Sequence, residues 1–308
     1  MLSRRKFLSS AVTAGAATAG LALTARPAAA KINGRLIVDA QTHLWLANTP
    51  DRPWFAKTAQ LPEPFTIERL LPIVDEVGVD RVVLIPPTLE GERNDYVQKA
   101  AHEYPGRFGI MGRIALDKPE RAQLLPTWRD QAGVLGVRVN GPLVTSETAS
   151  WFWPAAEKAN VPVMLLTDGE SAKIGPIAER HPALTLILDH MGVSGGYINS
   201  HPNWNWKDEI DTAVVGLAKY PNVSVKLSSI PTFSSQPYPW RDTWSHIERC
   251  FDAFGPLRCY WGSDQTATFA KATYSQRITQ FTEELPFLSE SDKDWVMGRS
   301  ILARLRWP

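Results

Sequence analysis

Cysteine is scarce in this chain, which has only Cys250 and Cys259 among its 308 residues. One disulfide is therefore the most that the sequence allows. The two cysteines lie nine positions apart, one in a segment with helical character and one at the start of an expected strand. An oxidising compartment would permit them to pair, but free cysteine is among the most commonly buried residues. The pattern favours two separately buried thiols and leaves a disulfide as the alternative.

The chain also lacks an excess of charge of either sign. It contains 33 lysine and arginine residues and 32 acidic residues. Four of the basic residues precede residue 31, where no acidic residue occurs, so the rest of the chain has 29 basic and 32 acidic residues, a formal charge of −3. No basic stripe is present. These features argue against a protein that binds nucleic acid or an anionic membrane.

The first thirty residues have the composition of an export signal. Ser3-Arg4-Arg5-Lys6-Phe7-Leu8 is a twin-arginine pattern, an apolar segment follows over residues 8–23, and Ala28-Ala29-Ala30 offers a cleavage site. A membrane anchor is the alternative, but a short stretch rich in alanine, glycine and threonine is only weakly hydrophobic. We therefore expect residues 1–30 to be a twin-arginine signal peptide, residues 31–308 to form the mature domain, and the protein to reside in the periplasm without membrane attachment.

A glycine-rich phosphate-binding turn is missing after the first strand-like run, IVDAQTHLW, and no low-complexity tract or domain boundary divides the chain. These absences disfavour an open, doubly wound nucleotide-binding sheet, which was the alternative. Short runs rich in valine, isoleucine and leucine are present instead, and several lack alternation, as in strands buried on both faces. The expected strands are Arg35–Asp39, Arg81–Pro86, Phe108–Arg113, Val134–Asn140, Val161–Leu166, Thr185–Asp189, Val223–Leu227 and Arg258–Gly262.

Segments with helical signals alternate with these runs. Pro, Gly or Asn residues follow most of them, as at helix ends. The expected helices are Thr66–Val77, Asn94–Tyr104, Pro119–Ala132, Ala149–Ala159, Ser171–His181, Lys207–Tyr220, Trp240–Phe254, Thr273–Leu285 and Ser291–Leu305. Eight strands alternating with helices predict an α/β protein with a (β/α)8 TIM barrel, which typically needs about 250 residues.

Polar residues stand at the ends of several expected strands. His43 follows the first strand, His190 the sixth and Asp264 the eighth. Because the carboxyl ends of barrel strands converge on the face where barrel enzymes do chemistry, we expect these three side chains to meet and to be catalytic. Two imidazoles and one carboxylate could also hold a single zinc-like divalent ion with an open position for water.

Cationic and amide side chains accompany this set. Arg113 and Arg138 end the third and fourth strands, and Lys226 lies in the seventh. Fixed cations around a pocket suit a small anionic substrate, and a guanidinium can grip a carboxylate with two hydrogen bonds. Ion pairing with Asp189 or Asp264 is the alternative role. Gln41, two residues before His43, should point the same way and is assigned with the cations to substrate binding.

These segments resemble, in order, those of the amidohydrolase-related family of β/α-barrel hydrolases. The resemblance covers essentially the mature chain, and the branch resembled contains dicarboxylate and sugar-acid lactonases. The segments that carry it are IVDAQTHLW, RVVLIPPTLEGERNDYVQKAAHEYPGRFGIMGRI, GVLGVRVNG, LILDHMGV, NVSVKLSS and YWGSDQTA.

The resemblance implies roles for four residues. His43 matches the second histidine of the family's first-strand pair, His190 the sixth-strand histidine, and Asp264 the eighth-strand aspartate that acts as general base toward water. Arg138 resembles an arginine that grips a substrate carboxylate. Gln41 replaces the first histidine of the pair. The fifth strand ends in Leu166-Thr167-Asp168, without the histidine of metal-rich members.

These departures imply at most one weakly held metal ion, or none, because some lactonases of the branch work without metal. We therefore expect a hydrolase that opens a lactone or related cyclic ester on an anionic small molecule. Two alternatives remain open. One is a metal-dependent decarboxylase of the same family, which would need a dependable metal site. The other is a barrel that has lost catalysis and binds a small ligand.

Overall fold

The structure, a computed structural model, describes residues 34–55 and 64–308. The expected signal peptide, residues 1–30, lies outside the described residues, as does part of the long connection after the first strand. No helix within the two described ranges is both long and apolar enough to cross a membrane. The thiols of Cys250 and Cys259 are buried and free, so the prediction of two separate thiols is confirmed.

Eight parallel strands form one sheet in the order of the sequence, which confirms the predicted (β/α)8 barrel. Strands buried on both faces explain the apolar runs of the sequence. Their bounds are β1 Val38–Thr42, β2 Arg81–Leu84, β3 Phe108–Arg113, β4 Val134–Asn140, β5 Val163–Leu166, β6 Leu186–Leu188, β7 Val223–Ser228 and β8 Cys259–Gly262.

The helices surround the sheet. They are α1 Ile67–Glu76, α2 Asp95–Glu103, α3 Phe152–Lys158, α4 Ile174–Arg180, α5 Gly195–Ser200, α6 Trp206–Asp208, α7 Ile230–Phe233, α8 Trp244–Phe254, α9 Tyr274–Thr279, α10 Glu290–Asp294 and α11 Ser300–Leu305. π-Helical segments continue three of them, at Glu209–Val214, Gln280–Glu284 and Trp295–Arg299. The 3₁₀ segments are Thr88–Glu90, Pro119–Asp130, Pro142–Thr145, Glu147–Ala149, Ser171–Lys173, Asp189–Gly192, Leu217–Lys219, Arg241–Thr243 and Gln265–Ala267.

Several expected helices differ from the structure, among them the one over Thr273–Leu285, which becomes π-helical at Gln280–Glu284. The segment expected as a helix over Pro119–Ala132 is 3₁₀ over Pro119–Asp130, and Pro126 lies inside it. Proline has no N–H to donate, and its ring clashes with the preceding turn, so a regular α-helix is disfavoured there. The helices expected over Lys207–Tyr220 and Ser291–Leu305 are each divided by a π-helical segment.

The apolar core lies in two layers. The larger layer packs between the strands and the surrounding helices. The smaller one fills the barrel interior with side chains such as Val83, Met164 and Tyr260, and Ile301 and Leu305 of α11 pack against it. The interior is therefore a packed core, and open space is left to the carboxyl ends of the strands.

The join between β8 and β1 depends on one buried carboxylate. Asp39 is fully buried in β1 and accepts hydrogen bonds from groups on both sides of the join. The donors are the N–H groups of Gln41 (2.9 Å) and Ser263 (2.7 Å) and the hydroxyls of Thr42 (2.7 Å), Ser263 (2.5 Å) and Tyr274 (2.5 Å). Gly262 permits the close approach, because a Cβ there would lie 3.2 Å from the backbone nitrogen of Gln41. Asp39 and Gly262 therefore close the barrel where two site-bearing strands meet.

Candidate active site

A cavity of about 450 Å³ opens at the carboxyl ends of the strands. This is the face on which the sequence predicted a site. Its lining includes His43, Arg138, His190 and Asp264, so the structure brings together four of the residues singled out from the sequence.

Left-handed backbone conformations place several of these side chains. The residues that follow β5, β6, β7 and β8 include Asp168, His190, Ser229 and Asp264, with φ angles of 45°, 52°, 63° and 44°. Such angles are uncommon outside glycine, and they tend to occur at functional sites. Each turns the chain sharply as the strand ends. All four residues line the cavity.

Asp264 lies between the two histidines. Its Oδ1 is 3.5 Å from Nε2 of His43, and its Oδ2 is 3.7 Å from Nε2 of His190. Nδ1 of His43 lies 2.8 Å from the carbonyl oxygen of Ile85, which can only accept, so Nδ1 carries the proton of the neutral ring. Nδ1 of His190 lies 2.8 Å from the hydroxyl of Ser228. Backbone and side-chain partners thus fix both rings with Nε2 toward the carboxylate.

The pKa values of this set favour an ionised Asp264 beside a neutral His190. Burial opposes the charge of Asp264, but the neighbouring His190 and His43 outweigh it and lower the pKa of Asp264 to about 2. Burial lowers the pKa of His190 to about 4, although Asp264 and Asp189 act in the opposite direction. At neutral pH the site therefore presents a carboxylate able to accept a proton and a neutral His190.

Gln41 and Lys226 lie beneath this set and are both fully buried. The Lys226 ammonium donates to Oε1 of Gln41 and lies 2.6 Å from Oδ1 of Asp189. Nε2 of Gln41 then faces Nε2 of His43 at 3.3 Å. The sequence assigned Gln41 and Lys226 to substrate binding. Both side chains contact other protein groups and complete a chain of polar contacts from Asp189 to His43; their assignment to substrate binding stays a prediction.

Arg138 stands between two cavities. Its Nε donates to Oδ2 of Asp189 at 3.0 Å, so the alternative role of ion pairing is also present. A second cavity of about 420 Å³ adjoins the first, and both are lined by Thr88, Arg138 and Asn140. Arg113, which pairs with Arg138 across β3 and β4, lines the second cavity.

Arg113 is a half-buried cation next to another cation. Burial and then the charge of Arg138 lower its pKa to about 9, so it is still charged at neutral pH. Among the described residues, its Nη1 has no hydrogen-bond partner. Two adjacent guanidinium groups, one of them incompletely paired, form a place where an anion would be stabilised.

Several lining residues were given no role from the sequence. They are Thr88, Asn140, Asp168, Ser194, Thr232 and Lys271. Asn140 ends β4 and Asp168 follows β5, so position at a strand end was a usable signal for these two. Lys271 lies in the loop after β8, where an exposed lysine is common and carries no distinguishing signal.

The donor chemistry of the site suits one divalent ion. In the two described ranges, no group of three His, Cys, Asp or Glu side chains is placed so that it could hold a metal ion. However, Oδ1 of Asp264 is buried without a hydrogen-bond partner in that part of the chain, and Nε2 of both histidines faces the same carboxylate. Two imidazoles and one carboxylate are donor types that a single divalent ion accepts, so the residue types fit an ion although the three side chains do not surround one.

The Amidohydrolase family model matches residues 38–300. This match covers all eight strands and most of the chain, and the chain therefore belongs to the amidohydrolase family. The predicted family is confirmed.

Known proteins of this kind are similar over most of the chain. An L-fucono-1,5-lactonase of Burkholderia multivorans (strain ATCC 17616 / 249) is 24% identical over 273 residues, which are 79% of this chain and 86% of the relative.

Two solved structures share the fold. An amidohydrolase from Burkholderia multivorans with bound zinc has a TM-score of 0.71 and 19% identity, covering 89% of this chain and 100% of its own. A probable 2-pyrone-4,6-dicarboxylic acid hydrolase from Acinetobacter baumannii with bound citric acid has a TM-score of 0.69 and 18% identity, covering 88% and 99%.

Proposed function

We propose that this protein is a hydrolase that opens a lactone or related cyclic ester on a small anionic molecule. The observation that carries the proposal is the buried, ionised Asp264 placed between His43 and His190 in a cavity that Arg138 also lines. Membership of the amidohydrolase family supports a hydrolase. The similarity to an L-fucono-1,5-lactonase and to a probable 2-pyrone-4,6-dicarboxylic acid hydrolase supports a cyclic ester as the substrate.

Asp264 acts as the general base. Its carboxylate takes a proton from water while the water oxygen forms a bond to the ring carbonyl carbon. The bond between that carbon and the ring oxygen then breaks, and the proton passes from Asp264 to the departing oxygen. Its low pKa keeps Asp264 ionised before each turnover. The product is the open hydroxy acid, so atoms and charge balance without a further reactant.

The two histidines have different roles because the proton is on Nδ1 in His43 and on Nε2 in His190. In the neutral tautomer of His43 the proton is on Nδ1, and the single lone pair of Nε2 accepts from the attacking water in place of the Gln41 amide. The Ser228 hydroxyl can donate to Nδ1 of His190, which leaves the N–H of Nε2 for the developing oxyanion. We therefore assign polarisation of the carbonyl to His190.

The substrate anion binds between Arg138 and Arg113. The two arginines stand side by side on β3 and β4, and both line the second cavity. A carboxylate there would pair with the unpartnered Nη1 of Arg113 and offset the repulsion between the two cations. The substrate would then span from this position to Asp264.

A divalent ion, where present, would be held by His43, His190 and Asp264, with at most one ion per chain. Such an ion would polarise the carbonyl oxygen as a Lewis acid. Zinc bound in a structural neighbour supports a divalent metal. The decarboxylase alternative needs a dependable metal site, and the contact between Gln41 and His43 counts against one.

Export by the twin-arginine route to the periplasm remains part of the proposal. It is supported by the pattern over Ser3-Arg4-Arg5-Lys6 and the small residues Ala28-Ala29-Ala30.

The test is a panel of lactones, neutral and anionic, assayed with the mature protein and with Asp264→Asn. Positioned proton transfer is worth about 10² to 10⁴ in rate, so Asp264→Asn should lose at least about 10² in kcat. The near-isosteric change should leave the circular dichroism spectrum and Tm close to those of the unmodified protein. Near-normal turnover by Asp264→Asn would contradict the mechanism. Failure of the whole panel would favour a ligand-binding barrel.

A further inference from the structure

We propose that Lys226 and Gln41 together weaken the binding of a divalent cation at the active site. The inference goes beyond hydrolysis, because it concerns how the protein itself excludes or admits a metal. It starts from a buried ammonium group that the proposed reaction does not use.

Lys226 places an ammonium group inside the barrel, where burial lowers its pKa and the neighbouring Asp189 opposes that shift. Its side chain is fully buried, and its Nζ lies 2.6 Å from Oδ1 of Asp189 and 3.3 Å from the carbonyl oxygen of Ala40. Burying an ammonium group is costly unless it is paired and hydrogen-bonded. An apolar side chain would fill this interior position more cheaply, as Met164 does 3.2 Å from Nζ. The charge of Lys226 is therefore costly, and the proposed reaction does not account for it.

Lys226 fixes which way the Gln41 amide points. The ammonium donates to Oε1 of Gln41. If the amide were reversed, its NH2 group would face the Lys226 ammonium. Both groups can only donate, so no hydrogen bond could form. An irregularity in the β1–β2 pairing between Asp39 and Thr42 also turns Gln41 inward beside Ala40, which belongs to the interior core. The oxygen of Gln41, the only atom of its amide that could bind a metal, is therefore engaged by Lys226.

The nitrogen of Gln41 in turn engages His43. Nε2 of Gln41 lies 3.3 Å from Nε2 of His43, and that ring nitrogen bears the lone pair because Nδ1 faces the Ile85 carbonyl. A metal ion that used His43 would have to displace this donor. It would also enter the field of the buried ammonium, and like charges repel strongly in an interior of low dielectric. Both effects reduce affinity for a cation, and both originate at Lys226.

The experiment measures zinc binding to metal-free mature protein by competition with a chromophoric chelator, without substrate. Lys226→Met removes the charge and keeps a flexible apolar chain, and Gln41→Met removes the amide while Lys226 remains. Lys271→Met is the matched control, because it removes an exposed lysine that lines the same cavity. Thermal unfolding of each variant checks the fold.

We expect the zinc Kd to fall at least about tenfold in Lys226→Met and several-fold in Gln41→Met, with little change in Lys271→Met. Lys226→Arg should keep the weak binding, because the charge remains. Saturation should occur at one ion per chain. Unchanged zinc affinity in folded Lys226→Met overturns the proposal. If that variant does not fold, unchanged affinity in Gln41→Met does so. Failure of every lactone assay would leave this result untouched, so the two proposals fail separately.

Discussion

Arg113 is an unusual residue, a half-buried cation beside a second arginine. Among the described residues it has an unpartnered Nη1, whereas Arg138 is anchored to Asp189 at 3.0 Å. The same type of side chain should therefore respond differently to mutation at the two positions.

Arg113→Met should raise KM for an anionic lactone about tenfold and leave KM for a neutral lactone nearly unchanged. Because the variant removes a half-buried charge that lacks a full set of partners, Tm should not fall. Arg138→Ala should also raise KM more than it lowers kcat, but it should lower Tm, because Asp189 loses a partner. Steady-state kinetics and thermal unfolding of both variants make the comparison. Equal effects on neutral and anionic substrates would contradict an anion site.

His190 should make stability depend on pH. Its pKa is about 4 in the folded protein, against about 6.5 in an unfolded chain. Between these values the unfolded chain binds a proton that the folded protein does not, so acidification from pH 6.5 to 4 lowers the free energy of unfolding. Asp264, whose pKa is about 2, contributes stability that is lost only at still lower pH.

Urea unfolding at pH 7, 5.5 and 4 should therefore show a loss in the native protein that His190→Asn largely lacks. The stability gap between the two proteins should narrow as the pH falls. A gap that stays constant would show that His190 is not buried in its neutral form.

Residue type and position predicted that His43, His190 and Asp264 lie together, because they follow strands and the barrel brings strand ends together. They did not predict what Gln41 and Lys226 contact. Their partners come from β1, β6 and β7, and those distances depend on the three-dimensional packing of the barrel interior. A polar residue in a strand looks the same in sequence whether it faces substrate or another buried side chain.

At the scale of elements, the stability of the join between β1 and β8 depends on Asp39. Asp39→Asn keeps the shape but turns one acceptor into a donor that would face donors. Loss of hydrogen bonds to a buried charged group costs about 1.5–3 kcal/mol each, so we expect at least about 2 kcal/mol of destabilisation. Tyr274→Phe, which removes one of the five donors, should cost less.

Urea denaturation of both variants measures these changes, and Ser289→Ala, in an exposed capping box before α10, offers a control for a local hydrogen-bond loss. Stability of Asp39→Asn equal to that of Ser289→Ala would show that the join does not depend on Asp39.

The elements themselves were predictable to different degrees. The bounds of β3 and β4 were predicted correctly because the apolar runs end at polar or glycine residues. β1 was placed too early, at Arg35–Asp39. Arg35 in fact pairs with Glu290 and Asp294, while the polar residues Gln41 and Thr42 belong to the strand because Asp39 and Lys226 satisfy them. Such long-range pairing cannot be read from local hydrophobicity.

At the scale of the whole molecule, the strands follow one another around a single sheet, and both apolar layers draw on strands along the length of the described chain. This organisation suits a domain that folds as one unit. Twin-arginine signals address proteins that fold before export, so an export signal of this type would be compatible with such a domain.

Replacing Arg4 and Arg5 by Lys should leave the precursor in the cytoplasm, because the signal depends on the arginine pair. Cell fractionation and immunoblotting would locate the precursor and the mature form, which should begin near Lys31. Normal periplasmic accumulation of the variant would contradict the proposed route.

Asp39 also links thermal stability to activity. It holds Gln41 on one side of the barrel join and Ser263, the neighbour of Asp264, on the other. If heating breaks these hydrogen bonds of Asp39, the spacing between Asp264 and His43 is lost at the same time. Residual activity after heating should therefore be proportional to the fraction of molecules whose barrel is still closed. Partly opened molecules should contribute no turnover.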